Sequence, residues 1–306
     1  MRNHEVKFII NPNANMGQAW RLAADLRPVM DEYGGADWAG SVYPTHAIEL
    51  TRQAVREGYD LIIAGGGDGT VHEVVNALME FPLQDRPKMG VVPLGSGNDF
   101  AHSMGMPEEP WKALRQIFTG EEKLVDVGRV EDGRGRVEYF QNTLGIGLDA
   151  IVTIYAHNLP VVRGFLMYLI SVFKTILLKH QPVNFQVTVD GEREWSEELL
   201  MFTLCNGARE GGGFYISPES RVDDGQFEYI AIKKVSRPMM LRLLPELMRG
   251  THLRFPQIFS GSFRNLDLKA DQGIYVHMDG EIFSGFSSNV RSLSVKHISK
   301  AIRVVA

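Results

Sequence analysis

Short apolar runs alternate with helical-period stripes over the first third of the chain. Residues 6–10 are an apolar run closed by Asn11-Pro12. Residues 18–32 then carry Trp20, Leu22, Ala23, Leu26, Val29 and Met30 at helical spacing. The same logic predicts strands at 41–43, 61–64 and 89–92 and helices at 47–57 and 71–79. Strands separated by helices of this length imply right-handed crossovers and a mostly parallel sheet. Ligands of such sheets bind beyond the carboxyl ends of the strands, where the Asn- and Gly-rich loops of this chain fall.

From about Asp126 the pattern changes. Strand-like runs recur at 138–143, 184–189, 199–205, 227–232, 265–269, 274–278 and 291–295, several bounded by turns such as Asp190-Gly191 and Asp224-Gly225. Two helical stretches interrupt them, near 159–178 and 238–249. The expected fold class is therefore an α/β N-terminal domain (1–125) with a mostly parallel sheet, followed by a β-rich sandwich domain (126–296). A last strand at 301–305, within 297–306, is expected to return to the first domain. A length of 306 residues suits this division, because single cores stop growing near ~250–300 residues.

Composition narrows the partners. A net charge of −5 offers no global attraction to nucleic acid, so none is expected as a partner. Cys205 is the only cysteine, which excludes an intramolecular disulfide and fits a reducing cytoplasm. The opening residues lack the apolar core of a signal peptide, and no stretch reaches the ~18 apolar residues of a membrane span.

The most informative segment is Leu-Ile-Ile-Ala-Gly-Gly-Gly-Asp-Gly-Thr at 61–70. Gly65, Gly66 and Gly67 are expected to break the strand, to leave no side chain between backbone and ligand, and to accept positive φ. The helix that follows presents free N–H groups and a dipole to an anion such as phosphate. Asp68 is what distinguishes the segment from a plain phosphate cradle, since a carboxylate repels phosphate unless a metal or a transferable proton intervenes. A tight turn with an N-capping Asp or Thr would use the same residues. Leu94-Gly95-Ser96-Gly97-Asn98-Asp99 repeats this logic, again with an N-cap at Asn98 or Asp99 as the plainer alternative. Asp224, with backbone carbonyls on each side, could hold a hard cation such as Mg2+ or simply close an Asp-Gly hairpin. Asp279 and Glu281 flank Gly280, and either could take a proton from an attacking hydroxyl.

Taken in order, these segments resemble the diacylglycerol kinase catalytic-domain family, whose relatives include sphingosine and ceramide kinases. The match runs through Asn11-Pro12, the Gly-Gly-Gly-Asp-Gly-Thr element with 72–76, residues 94–101, Asn142 with 145–150, residues 206–213, Asp223-Asp224-Gly225 and Asp279-Gly280-Glu281. NAD kinases share the glycine element and the architecture. The 93–101 segment and the late Asp-Gly-Glu look like the lipid kinase branch.

The resemblance implies Mg2+-dependent transfer of the ATP γ-phosphoryl group to a lipid hydroxyl. It places Gly65, Gly66, Gly67, Asp68, Gly69, Thr70, Thr45 and Ser96 at the nucleotide, with Asn11, Pro12, Asn13, Ala14 and Asn15 nearby. It makes Asp68 the residue at the phosphate–magnesium centre and Glu281 the base, with Asp279, Asp99 and Asp126 as a supporting acidic network. It matches Asp224 and the carbonyls of Arg221 and Gln226 to a structural Mg2+ site.

The family pattern differs here at two positions: Met16 stands where many relatives carry Lys, and His102 where many carry Arg. Arg21, Arg129 and Arg163 are candidate replacement cations. Another enzyme reading is an NAD kinase-like activity, and a reading from another class is a weakly catalytic nucleotide- or lipid-binding regulator. The apolar 159–178 segment and the basic, Met-rich 238–249 helix are expected to line an acyl-chain entrance or to pack on their own sheet. The expected partner is a lipid substrate at the membrane surface, a homodimer is compatible with the family, and the location is cytoplasmic with peripheral membrane contact.

Overall fold

The computed structural model describes residues 5–15, 17–159, 162, 164–179 and 181–306. Met16 and Arg163 lie outside the described residues. The chain divides into one unit of Met1–Asp126 with Lys300–Ala306 and a second of Val127–Ser299.

In the first unit, β1 (Val6–Ile10), α1 (Gln18–Glu32), β2 (Asp37–Gly40), α2 (His46–Glu57), β3 (Leu61–Gly66), α3 (Asp68–Leu78) and β4 (Lys88–Pro93) alternate, and α4 (Asp99–Ser103) and α5 (Pro110–Thr119) follow. The strands pair in the order β2-β1-β3-β4, all parallel. The end of β15 (Ser292–Val305) pairs in parallel with β4, Val304 opposite Met89. Phe8, Ile9, Ile62, Ile63 and Val91 are fully buried, as continuous apolar runs in a helix-covered parallel sheet should be.

The second strand is not at 41–43. It lies at Asp37–Gly40, where the Trp38 ring meets Phe8 edge-on at 4.4 Å. Val42 and Tyr43 are instead 70% and 47% exposed. Apolar character alone misplaced this strand, whose register is set by the partner β1.

The second unit begins within β5 (Glu122–Asp132) and continues through β6 (Val137–Phe140), β7 (Thr143–Gly147), α6 (Leu148–His157), α7 (Gly164–Leu178), β8 (Val183–Val189) and β9 (Arg193–Cys205). The chain then forms β10 (Phe227–Lys233), α8 (Arg237–Arg249), β11 (Ile258–Phe263), β12 (Asn265–Ala270), β13 (Val276–Met278) and β14 (Glu281–Ser284). Antiparallel pairing gives the order β14-β13-β7-β9-β8-β12-β15, with β10 joining β9 and β11.

One aromatic-rich core, with Phe140, Phe185, Phe202, Phe227 and Phe263, fills this sandwich. A second core, with Val152, Ile176, Met201, Leu243 and Leu247, packs α6, α7 and α8 together with residues of β9 and β10. The sequence pattern showed no α6, because eight of its residues are buried and no polar face marks a helical period. The structure also adds β5, β11 and β14 to the strands expected, and the single strand expected at 138–143 is two, β6 and β7. Among the described residues no helix is long and apolar enough to cross a membrane.

Candidate active-site residues in the two units

In the first unit the glycines act differently from the sequence expectation. β3 runs through Gly65 and Gly66, which pair with Val92 and Pro93 of β4, so these glycines extend the strand rather than break it. Gly65, Gly66, Gly67 and Gly69 are absent from the positive-φ positions; what they supply is closeness. A Cβ on Gly65 would lie 2.5 Å from the Phe8 ring, and one on Gly66 would lie 2.2 Å from Thr70 Oγ1. A Cβ on Gly95 would lie 2.2 Å from Gly67 Cα, so the two glycine loops touch backbone to backbone. Gly67 caps α3 with extended backbone and no side-chain bond, leaving an open helix N-terminus.

Asp68 is the first residue of α3, and its Oδ1 accepts the Phe100 N–H at 3.1 Å. A Cβ on Gly97 would lie 2.8 Å from Asp68 Oδ2 and 3.0 Å from Asp99 Oδ2, so both carboxylates converge on that glycine. Asn98 has φ 53° and makes two bonds back to Gly95, at 2.9 and 3.1 Å. It therefore clamps the loop, and its side chain caps no helix N–H. Ser96 is half-buried beside it.

The Asn11 N–H donates to Gly65 O at 2.9 Å, and Asn11 Oδ1 accepts the Asn13 N–H at 3.0 Å, which ties the turn of Pro12, Asn13 and Ala14 to the end of β3. Asn15 ends it at φ 49°. Thr45 precedes α2 at φ 70°, a costly conformation for a β-branched residue. It is held there by Glu73 of α3, whose oxygens accept the Thr45 and Ala47 N–H groups at 2.9 and 3.0 Å. Asp126, fully buried, has an oxygen that accepts the Lys300 N–H at 2.7 Å and so anchors the returning C-terminal segment. Among the candidate cations, Arg129 pairs with Glu131 at 2.8 Å, and Arg21 and His102 are exposed.

In the second unit the structure separates the two late carboxylates. Asp279, at φ 51° and 3% exposed, accepts the N–H groups of Gln141 (3.2 Å), Asn142 (2.8 Å) and Thr143 (3.1 Å). It holds the β13–β14 hairpin onto β7. Glu281, half-buried, opens β14 just beyond that turn. Farther off in sequence, Asp224 Oδ1 accepts the Gln226 N–H at 3.3 Å within a turn completed by Gly225 at φ 84°. The Arg221 guanidinium turns to Asp223 at 3.3 Å.

A group that sequence reasoning did not find lies inside this unit. Fully buried His277 places Nε2 2.8 Å from Glu210 Oε1 and 3.6 Å from Asp149 Oδ2, and the Thr203 hydroxyl donates to Asp149 at 2.7 Å. Burial alone would lower the imidazole pKa, but the two carboxylates outweigh it and raise it to about 10. The three donor atoms lie within 4.8 Å of one another, a set that could also hold a metal ion. Gly145 leaves the room, since a Cβ there would lie 2.2 Å from His277 Nε2. Asp149 and Glu210 also line an apolar pocket walled by Val152, Val172, Ile176, Met201 and Leu244. Their separations in sequence, over 60 residues each, leave no local signal.

Comparison with known proteins agrees with this geometry. Residues 5–130 match the diacylglycerol kinase catalytic domain, and residues 142–305 match the YegS C-terminal NAD kinase beta sandwich-like domain. The chain is 31% identical over 292 residues to a probable lipid kinase YegS-like protein of Chromohalobacter salexigens, covering 89% of each. It is 30% identical over 263 residues to a diacylglycerol kinase of Bacillus subtilis, covering 84% of each. A solved structure of a putative diacylglycerol kinase from Bacillus anthracis superposes with a TM-score of 0.80 at 22% identity, covering 100% of this chain and 98% of that one. The fold is thus that of the diacylglycerol kinase and NAD kinase-like proteins. The chain belongs to the diacylglycerol kinase catalytic-domain family, and it is a lipid kinase.

Proposed function

We propose that this lipid kinase transfers the γ-phosphoryl group of ATP, with Mg2+, to the hydroxyl of a diacylglycerol-like lipid. The observation that carries the acceptor class is the apolar pocket under α6, α7 and α8. Its aliphatic walls favour an apolar group and offer little to a polar dinucleotide, which argues against the NAD kinase-like alternative.

ATP would bind at the touching glycine loops, with Gly65, Gly66, Gly67, Gly69, Thr70 and Ser96 about the α3 N-terminus, whose N–H groups would meet phosphate. Asn11, Pro12, Asn13, Ala14, Asn15 and Thr45 would flank it. The convergence of Asp68 and Asp99 on Gly97 fits the oxygen donors a hard cation needs. When bound, Mg2+ supplies charge neutralisation at the phosphates. Asp126 and Asp279 act through backbone: one fixes the terminal segment, the other the hairpin that carries Glu281. Glu281 then takes the proton of the lipid hydroxyl as that oxygen attacks phosphorus, and ADP leaves. Asp224, with the carbonyls of Arg221 and Gln226, would hold a structural Mg2+.

The lipid would be met at a membrane surface. Leu166, Ile170, Phe173 and Leu177 are 55%, 37%, 42% and 59% exposed, and their spacing makes one apolar stripe along α7. That stripe supports peripheral membrane contact by a cytoplasmic protein.

The test offers radiolabelled ATP with diacylglycerol, phosphatidylglycerol, sphingosine and NAD. Label in a lipid extract is expected. Label in NADP would replace the acceptor, and ATP binding without any transfer would favour a regulator that has lost catalysis.

A further inference from the structure

The Asp149–Glu210–His277 group joins two places that the chemistry must connect. One edge of the His277 ring faces Glu210 and Asp149, which form the polar end of the apolar pocket. On the other edge, Nδ1 lies 3.4 Å from the Gly280 N. Gly280 is the residue directly before Glu281. A change at the pocket's polar end therefore reaches the neighbour of Glu281 through one rigid, fully buried ring.

A second contact runs in parallel. Tyr168 of α7 lines the pocket; its ring packs 3.3 Å from the Cβ position of Gly211, next to Glu210. Its hydroxyl lies 3.8 Å from the Cβ position of Gly280. The pocket wall and the hairpin turn thus share two neighbours, one polar and one aromatic. The local backbone is shaped for this approach: His277 sits opposite Gly145 in the β13–β7 pair, and any side chain there would collide with the ring and with Asp149.

We propose that His277 is a positioning residue that couples occupancy of the α6–α7–α8 pocket to the placement of Glu281. A polar group of the lipid entering that end meets Asp149 or Glu210 and shifts their ion pairs with the imidazole. The ring, packed against Gly280 on its far edge, then fixes the turn that presents Glu281. Chain binding is in this way converted into alignment of the base, and a lipid too short to fill the pocket aligns it poorly. The role of Glu281 rests on the function proposed above, whereas the coupling itself does not.

Hydrogen–deuterium exchange on the full chain, with and without dodecan-1-ol as the probe and its binding followed by calorimetry, tests the coupling without turnover. Saturating alcohol should slow exchange of the 280–284 amides by about fivefold or more in the wild type. In His277→Gln the alcohol should still bind, with no change in those amides. His277→Gln alone leaves two buried carboxylates without their counter-charge, so His277→Gln/Glu210→Gln serves as the charge-relieved variant and should behave the same way. If the alcohol fails to bind, binds without protecting the hairpin, or protects it equally in the double variant, the coupling is overturned. In the kinase assay both variants should lower kcat by about 10–100-fold with a smaller change in the ATP KM. With Glu281 as the base, an unchanged kcat would also overturn the coupling. A wild type that labels no lipid would overturn only the function proposed above, because the exchange result stands apart from it.

Discussion

The first unit builds its candidate site from backbone and contiguous sequence, and the second builds its own from side chains gathered over long separations. Gly65 to Thr70 and Gly95 to Asp99 occupy two short stretches, and their function is to let chain approach chain. Asp149, Glu210 and His277 come from a helix, a loop and a strand, and meet because β7 pairs with both β13 and β9. A backbone site tolerates few added atoms. A side-chain site depends on charge balance in a low-dielectric interior. Substitutions in the two units should therefore fail in different ways.

Apart from Glu281, the largest effect is expected at Asp68 in the first unit. Asp68→Asn should lower turnover by ~10²–10³ and weaken Mg2+-dependent ATP binding, read by steady-state kinetics and calorimetry. Unchanged nucleotide affinity would place the carboxylate outside the phosphate–metal centre.

Next comes a test of backbone contact. Gly95→Ala puts a Cβ against Gly67 Cα and should cost about 1–3 kcal/mol in chemical denaturation. Gly105→Ala meets no atom within 4 Å and is strained only by its φ of 74°, so a smaller loss is expected. Equal losses would remove the close-approach explanation for the glycine loops.

The charge-balanced unit should show itself through pH. The folded pKa of His277 is raised, so its stabilising contribution is complete below the unfolded value of 6.5 and is lost as pH rises towards about 10. Melting temperature should fall across that window in the wild type and stay flatter in His277→Gln/Glu210→Gln. Parallel curves would contradict the assignment of a protonated imidazole to this group.

The smallest effect is expected at the α7 stripe. Leu166→Glu with Phe173→Glu should reduce co-sedimentation with liposomes, with anionic lipid present or absent, while leaving ATP binding intact. Unaltered co-sedimentation would remove α7 as the membrane contact.

The same contrast explains what the sequence made legible. The alternation of β1, α1, α2, β3, α3 and β4 and the two glycine loops were readable because each is a local pattern. β2 was not, because Asp37–Gly40 is a strand by virtue of its pairing with β1 rather than its composition. α6 was hidden by burial on all sides. Of the two reasons the sequence offers for the glycines, positive φ fails, and the close approach the structure shows is between two stretches of chain, a tertiary proximity that sequence does not display. Asp279 and Glu281 looked equivalent until three backbone N–H groups were seen to occupy the Asp279 carboxylate. His277 and Glu210 carried no spacing that could have paired them.

The most direct test of the account is Glu281→Gln, with lipid phosphorylation and ATP binding measured on the same preparation. The second-unit base should be lost and the first-unit nucleotide site retained: turnover should fall by ~10²–10⁴ while ATP affinity stays within about twofold. Retained turnover, or ATP affinity lost in step with it, would contradict this division of labour.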